Sequence, residues 1–520
     1  MAPTTTSLEV ELQPIQLEPF PSDKETNNTS SEPPFPVLSY SRSSAIILPV
    51  AGVNFLNTLG SGILTVALPT IAKDLDLTQE VLLWPAAIYG LTCGCSLLIS
   101  GAIADVVGRR PVFLLGSLLL ASFTLGCGLA RTSTEFIAFR GVQGVAISFC
   151  LPSGIGIISS SFAPGQRKNI AFACIGGGSP IGYAFGLVLG GIFAESVGWR
   201  YGYYLGTICS FLFWGAAIWS LPKDAMHTNG ATMWTRMKEE IDWVGAALAS
   251  TSLALIFYVS AVITGSAARI GDPVNIALLS IGVVLLPTFV FWVGRQEKLG
   301  KPAIIPNSLW KNLAFTSVCL TVFFTWAAFN AFGYFASLYF QDVQQQPPIQ
   351  TSLRFLPTVV AGILTNMVTG LLVKSVSAGT LVAASTLLTA VAYLLMALAD
   401  IKWPYWYAAF PAIFLSPISS DVLYTTSMLI ITSVFPQKTQ SLAGGVFNTI
   451  SQVGNAVGLA VGGVIAATVA ASENNVETST RSLLAGYEAT FWACLGTSAF
   501  VGLISILGLR KAGKVGMKKD

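Results

Sequence analysis

The sequence has 520 residues, of which 53% are hydrophobic and only 10% are charged. Because soluble globular proteins carry roughly 25% charged residues, this composition excludes a soluble protein and indicates an integral membrane protein in contact with the lipid bilayer. The net charge of +3 is too small to favour nucleic acid as a partner. We therefore expect no nucleic-acid binding.

The first 42 residues are polar, rich in Ser, Thr, Pro and Glu, and predict a disordered tail. Beyond them, apolar runs of about 20 residues, the length that crosses a bilayer as a helix, recur to the end of the chain. About 14 such runs predict an all-α, polytopic membrane protein. We expect a disordered cytoplasmic tail at 1–42, an N-terminal six-helix bundle at 43–221, a central loop and two inserted helices with flanking cytoplasmic loops at 222–311, a C-terminal six-helix bundle at 312–510 and a basic cytoplasmic tail at 511–520.

The distribution of Lys and Arg predicts the orientation, because basic residues accumulate in cytoplasmic loops. With the N-terminus inside, the tails and the even-numbered loops hold 20 of the 28 basic residues, and the odd-numbered loops hold seven. An even number of spans with both termini in the cytoplasm satisfies this rule. The plasma membrane is the expected location.

A short charged turn, GAIADVVGRR, separates the second and third spans. Its key positions are Gly101, Asp105, Gly108, Arg109 and Arg110. This spacing resembles a loop pattern of the major facilitator superfamily, approximately Gly-x-x-x-Asp-x-x-Gly-Arg-Arg/Lys. The resemblance implies a cytoplasmic gate, in which Asp105 lies near a helix N-terminus, pairs with cationic groups and locks two bundles together. The alternative is a basic anchor that only sets the orientation.

Two further stretches resemble the fourteen-span drug/proton antiporter group of this superfamily, and most closely its fungal members, which export drugs, toxins or secondary metabolites. Arg140, Gln143 and Gly144 match the Arg-x-x-Gln-Gly pattern of the fourth span in proton-coupled members. Residues 242–245 resemble the lead into two extra helices. The first span departs from the group, because Gly60 stands at the position of its usual aspartate.

Glycine ladders recur in the fifth and thirteenth spans and indicate a duplicated architecture. The fifth-span ladder resembles the antiporter motif of the group, although Leu187 replaces its proline. Such ladders let helix backbones approach closely, and a purely packing role is the alternative to a mechanical one. The two ladders are Gly182, Gly186, Gly190 and Gly191, and Gly454, Gly458, Gly462 and Gly463.

Asp421 lies about midway along the twelfth span, where an acid is costly to insert. Burial favours the neutral form of such an acid, so a proton can bind and leave near neutral pH. We expect Asp421 to carry the transported proton, and Arg140 to bias its release and help bind substrate. The alternatives are an Asp421 that only hydrogen bonds to neighbouring hydroxyls and an Arg140 that only orders the bundle.

Amide and aromatic side chains within the spans are candidates for lining a central cavity, because a buried amide needs a partner. Together they favour a neutral or weakly charged organic substrate. Each alone is also compatible with helix packing. These candidates are Asn57, Tyr89, Gln143, Asn330, Tyr334, Asn448 and Gln452.

No pattern in the sequence supports an enzyme, a cofactor or a metal site. The single histidine, His227, lies in a loop without Cys or carboxylate ligands arranged around it. We therefore predict a monomeric secondary transporter that exchanges protons for a small organic compound by alternating access and so exports it. A proton-coupled importer and a passive facilitator on the same fold remain the alternatives.

Overall fold

The computed structural model describes residues 39–77, 81, 84–223, 232–265, 269, 271–373, 375–435, 439–472 and 479–509. In this part of the chain, 13 helices are long and apolar enough to cross a membrane. The 21-residue helix Arg200–Ser220 is not one of the 13. The predicted all-helical membrane fold is therefore confirmed, whereas the count of fourteen stays a prediction.

Six helices make up the first half of the described chain, here called the first bundle; α1 packs along α5, α2 along α4, and α3 along α4 and α6. The side chain of Ser39 accepts a hydrogen bond from the Arg42 backbone N–H, which caps the first helix. This helix begins at Tyr40, inside the stretch predicted as a tail. The rest of that tail and the predicted C-terminal tail lie outside the described residues. The helices are α1 (Tyr40–Asp74), α2 (Trp84–Val107), α3 (Arg109–Leu129), α4 (Ser133–Ser161), α5 (Gln166–Glu195) and α6 (Arg200–Ser220).

Three helices connect the two halves. The Asp242 carboxylate accepts hydrogen bonds from the Gly245 N–H at 2.8 Å and from the Trp292 indole at 2.9 Å, so it caps α8 and holds α9 against it. Helix α8 also packs against α2. Helix α7 lies in the stretch expected to be a loop, whose residues 224–231 and His227 are outside the described ranges. The three helices are α7 (Met233–Glu240), α8 (Trp243–Gly265) and α9 (Pro273–Lys298).

The second half of the described chain, here called the second bundle, contains eight α-helices, and the span that carries Asp421 is broken. The span Ala409–Thr432 is split at Ser416 and Pro417, because proline lacks the N–H that would continue the helical hydrogen bonds. Asp421 therefore lies in the first turn of the helix that follows the break. The helices are α10 (Leu313–Leu338), α11 (Pro348–Arg354), α12 (Leu356–Leu372), α13 (Ala378–Ala397), α14 (Ala409–Leu415), α15 (Ile418–Val434), α16 (Gln440–Ser472) and α17 (Ser479–Gly508).

The two glycine ladders occupy equivalent contacts in the two halves. In the first half, α5 packs along α1, and a Cβ on Gly186 would overlap the Leu59 carbonyl oxygen. In the second half, α16 packs along α10, and a Cβ on Gly458 would overlap the Ala327 carbonyl oxygen. Part of each ladder thus lets two helix backbones touch without intervening side chains, namely Gly182, Gly186 and Gly190 in the first and Gly454 and Gly458 in the second.

A pair of alanine substitutions distinguishes a packing glycine from a neutral one. We expect Gly458→Ala to destabilise the purified protein by about 1–3 kcal/mol, because the methyl group overfills the contact between α16 and α10. Gly463→Ala is the matched control, since nothing lies within 4 Å of its added Cβ. Thermal unfolding followed by tryptophan fluorescence measures the difference. Equal unfolding midpoints for the two variants would contradict this assignment.

Candidate functional site

A carboxylate of the first bundle caps a helix of the second bundle. The Asp105 Oδ1 atom accepts the Ser441 N–H at 3.0 Å, and Oδ2 accepts the Leu442 N–H at 2.8 Å. These two donors open α16 and have no partner within the helix, so a negative charge there is favourable. Gly101 permits the close approach, because a Cβ on it would lie 3.0 Å from the Ser441 carbonyl oxygen. The Asp105 carboxylate thus links α2 to the start of α16, and Ser441 is 336 positions further along the chain.

The two arginines of the same turn bind within the first bundle. Arg109 Nε lies 3.3 Å from Asp105 Oδ1, and Arg109 Nη1 donates to the Gly156 carbonyl at 3.3 Å. Arg110 Nη2 donates to the Ile218 carbonyl at 2.6 Å. Gly108 begins α3 with a φ of 119°, a backbone conformation that favours glycine. The turn therefore anchors α2, α3, α4 and α6 around the Asp105 carboxylate.

A second cluster surrounds Arg140 in the interior of the first bundle. The Arg140 side chain donates to the Pro85 carbonyl at 3.1 Å and to Gln143 Oε1 at 3.0 Å. Its guanidinium carbon lies 4.4 Å from the ring centroid of Tyr89, which is a cation–π contact. The Tyr89 hydroxyl donates to Asn57 Oδ1. The structure thus brings together Arg140, Gln143, Tyr89 and Asn57, four residues singled out in the sequence.

The Arg140 cluster borders a small cavity of about 20 Å³ between α1, α2, α3, α4 and α6. Gly60, the position of the missing aspartate, lines this cavity opposite Arg140. Two residues not singled out from the sequence line it as well. Thr124 Oγ1 accepts Gln143 Nε2 at 2.8 Å, and Tyr203 places a buried hydroxyl beside the cavity with no hydrogen-bond partner.

The other substrate candidates do not join this cluster directly. Gln452 on α16 lies near the Cys93 thiol of α2 and accepts a hydrogen bond from Asn455 of its own helix at 3.1 Å. The Asn448 amide donates back to the Gly444 carbonyl of its own helix at 2.9 Å. Asn330 is partly buried on α10. Tyr334, also on α10, lies near a separate hydrogen bond of 2.9 Å between the Tyr487 hydroxyl and Asp342 Oδ2.

Asp421 lies in the second bundle, at the contact of α15 with α12 and with α5 of the first bundle. Its carboxyl interacts with the side chain of Asn366 on α12, and its Oδ2 atom is buried without a hydrogen-bond partner. A Cβ added to Gly362 would lie 3.0 Å from that oxygen and 2.7 Å from Pro180 of α5. The carboxyl of Asp421 is therefore next to the interface between the bundles.

The hydroxyl groups beside Asp421 in the sequence are used elsewhere or unpaired. Ser419 pairs with Thr386 at 3.1 Å, and Ser420 donates to the Pro417 carbonyl at 2.8 Å. The Thr425 hydroxyl is buried without a partner. Asn366 was missed in the sequence, although an amide inside a span signals a buried partner.

Glycines of α5 complete the contact near Asp421. A Cβ on Gly176 would lie 2.9 Å from the Tyr424 ring on α15, and one on Gly177 would lie 3.8 Å from Asn366 Cβ.

The hydrogen bonds of Arg140 join α4 to α2, whereas the Asp421 contact joins α15 to α12. The two ionisable residues therefore occupy separate sites.

Comparison with known proteins gives the family of this chain. The model of the Major Facilitator Superfamily matches residues 50–459. MFS-type transporter 1 of Pyricularia oryzae is 43% identical over 95% of this chain and 88% of that protein. Efflux pump terJ of Aspergillus terreus is 26% identical over 89% of this chain and 87% of that protein.

A solved structure supports the fold independently of close sequence similarity. The proton:xylose symporter XylE is 14% identical, with a TM-score of 0.62 over 92% of this chain and 98% of that chain. At this identity the likeness shows the fold alone. Together with the family match, it shows that this chain is a membrane transporter and not an enzyme, and that it belongs to the major facilitator superfamily.

Proposed function

We propose that this transporter is a proton-coupled antiporter that exports a small organic compound, such as a drug, toxin or secondary metabolite. The observation that carries the proposal is the Asp421 carboxyl, which lies within a span with one buried oxygen unpaired. The Asn366 side chain contacts this carboxyl, but the ionised form is disfavoured because one oxygen is buried without a donor and no cation of the described residues pairs with it. Asp421 forms no ion pair in the described part of the chain, so proton binding there is favourable.

The position of Asp421 supports coupling between proton binding and bundle movement. Its unpaired oxygen lies beside the packing of Gly362 against Pro180, where α12 of one bundle meets α5 of the other. Gain or loss of a proton changes the charge at that contact and so biases the two bundle arrangements differently. In this mechanism Asp105 closes the cytoplasmic side by capping α16, and Arg140 contributes to substrate binding and proton release.

Efflux rests on two supports of different kinds. The Arg140 pattern and the fifth-span glycine ladder resemble drug/proton antiporters, and the related terJ protein is an efflux pump. Membership of the fourteen-span subgroup requires α6 to cross the membrane in addition to the 13 candidate spans. Its length of 21 residues allows this. We place the protein in the plasma membrane as a monomer with both termini in the cytoplasm, because the basic residues favour this orientation and one chain supplies both bundles.

Import and passive transport predict different outcomes from export. The related symporter XylE couples xylose movement to protons, so the fold alone does not favour export. Cells with and without the gene should be compared for accumulation of a panel of toxic organic compounds. Export predicts lower accumulation of at least one compound in expressing cells, and a protonophore should remove the difference. Higher accumulation would indicate import. Faster equilibration to the same final accumulation, unaffected by the protonophore, would indicate passive transport.

A further inference from the structure

The geometry points to an anionic group, of the carboxylate class, on the compound that this protein transports. We propose that this group binds at the cavity between α1, α2, α3, α4 and α6, where Arg140 and the Tyr203 hydroxyl hold its oxygens. The cavity of about 20 Å³ holds roughly one water, so the bound group requires the helices around Gly60 to move apart. The inference rests on the proposed transport function and adds the substrate class. The residue types alone favour a neutral or weakly charged substrate. The contacts of these residues in the structure favour an anionic group instead.

Arg140 places a positive charge in the interior of the first bundle. Its exposed fraction is 3%, yet its hydrogen-bond acceptors are the neutral oxygens of Pro85 and Gln143. No carboxylate in the described part of the chain forms an ion pair with it. A buried cation without a counter-ion is costly, and the Tyr89 ring offsets only part of that cost. The site is therefore electrostatically incomplete without an anion.

The hydrogen-bonding groups around the cavity differ in whether they already have partners within the protein. The acceptors near the cavity already have donors within the protein: Asn57 Oδ1 accepts from Tyr89, and Gln143 Oε1 accepts from Arg140. By contrast, the Tyr203 hydroxyl is buried without a partner, and Arg140 has further N–H groups beyond the two that are bonded. The unmet groups are thus mainly donors, which fit the oxygens of a carboxylate.

Gly60 lies across the cavity from Arg140. A Cβ at this position would have one protein atom within 4 Å, the Arg140 Nη1 atom at 3.9 Å. An aspartate there would bring its own carboxylate into hydrogen-bonding distance of the guanidinium. Because Gly60 has no side chain, no carboxylate from this position pairs with Arg140. An anionic group of a ligand can therefore take that position beside the guanidinium.

A stability measurement on the protein without added ligand tests the vacant counter-ion position. We expect Gly60→Asp to raise the thermal unfolding midpoint above that of Gly60→Asn by at least about 2 °C, because the two side chains have the same size and differ in charge. In an Arg140→Gln background the order should reverse, since the aspartate then lacks its cation. If Arg140→Gln does not fold, the first comparison still decides. Equal midpoints for the two Gly60 variants would overturn the assignment of this position.

A binding measurement tests the ligand class on the purified full chain in chloride-free buffer near neutral pH. Acetate and benzoate should raise the unfolding midpoint saturably, whereas acetamide and benzamide should not. Tyr203→Phe should weaken benzoate binding by about tenfold, because it removes one hydrogen bond to a charged group. Gly60→Asp should abolish the benzoate effect, and the distant Gly463→Ala variant should retain it.

The possible outcomes separate this inference from the proposed function. Equal effects of acids and amides, or no effect of either acid, would overturn the carboxylate assignment. Stabilisation by chloride without any effect of the organic acids would identify an inorganic-anion site and would also overturn it. None of these readouts needs a proton gradient. A protein that binds benzoate as expected but transports without proton coupling would contradict the proposed function alone.

Discussion

Asp421→Asn is expected to abolish proton-driven transport while leaving substrate exchange intact. Asparagine keeps the size and polarity of the side chain but cannot bind and release a proton. In proteoliposomes with a pH difference of one unit, one proton per substrate supports accumulation of about tenfold. We expect this ratio to fall to about one in the variant. Radiolabelled uptake of a compound identified in the cellular screen measures it.

A matched acid of the same bundle provides the control for Asp421. Asp342 has an oxygen bonded to the Tyr487 hydroxyl at 2.9 Å and lies outside the contact between α12 and α5. Asp342→Asn should therefore retain pH-driven accumulation. Exchange of labelled for unlabelled substrate without a gradient verifies that each variant is folded. Undiminished pH-driven accumulation by Asp421→Asn would contradict the proposed proton site.

The helices were largely predictable from the sequence, because a bilayer demands long apolar segments whose backbone groups bond internally. Helix breaks and short polar helices, which depend on local backbone chemistry, were harder to predict. The sequence predicts the twelfth span, which carries Asp421, as one helix, whereas Pro417 divides it into α14 and α15. Likewise α7 occupies part of a predicted loop, since its eight residues are too few and too polar to register as a span.

The site residues illustrate a second limit, which is the identity of long-range partners. The turn pattern suggested that Asp105 would lie near a helix end, but only the fold identifies that end as Ser441 and Leu442. The free-energy cost of placing an acid within a membrane span singled out Asp421 in the sequence. Its partner Asn366 could not be found in the same way, because it is 55 positions away on another helix. Sequence spacing within one helix carries no information about such contacts. The roles of these residues stay predictions until they are tested.

The empty position at Gly60 is a further case in which the fold changes the meaning of a sequence feature. In the sequence, the missing aspartate only removed a familiar acid from the expected proton path. In the structure, the same glycine lies opposite a buried Arg140 that forms no ion pair with any described residue. If the proposed proton site is correct, proton binding at Asp421 and anion binding at Arg140 occur in different bundles. Coupling between them then requires a contact that both bundles share.

Asp105→Asn should loosen that shared contact at the start of α16. The substitution removes the negative charge that accepts two backbone N–H groups and pairs with Arg109. Hydrogen bonds to a charged group contribute roughly 1.5–3 kcal/mol each, so loss of even one should reduce amide protection by about tenfold or more. Hydrogen–deuterium exchange of a peptide covering 440–447 should therefore become faster. Exchange over 454–466, where α16 packs on α10, should not change.

An ion pair within one bundle supplies the control for the Asp105 substitution. Asp74 pairs with Arg200 and accepts the Trp199 indole N–H at 3.1 Å, and all three residues belong to the first bundle. Asp74→Asn removes a comparable charge without touching α16, so exchange over 440–447 should match the unmodified protein. Unchanged exchange in Asp105→Asn would mean that packing of Gly101 and its neighbours, and not the carboxylate, holds the bundles together. Faster exchange accompanied by a loss of transport would instead support Asp105 as the group that closes the gate.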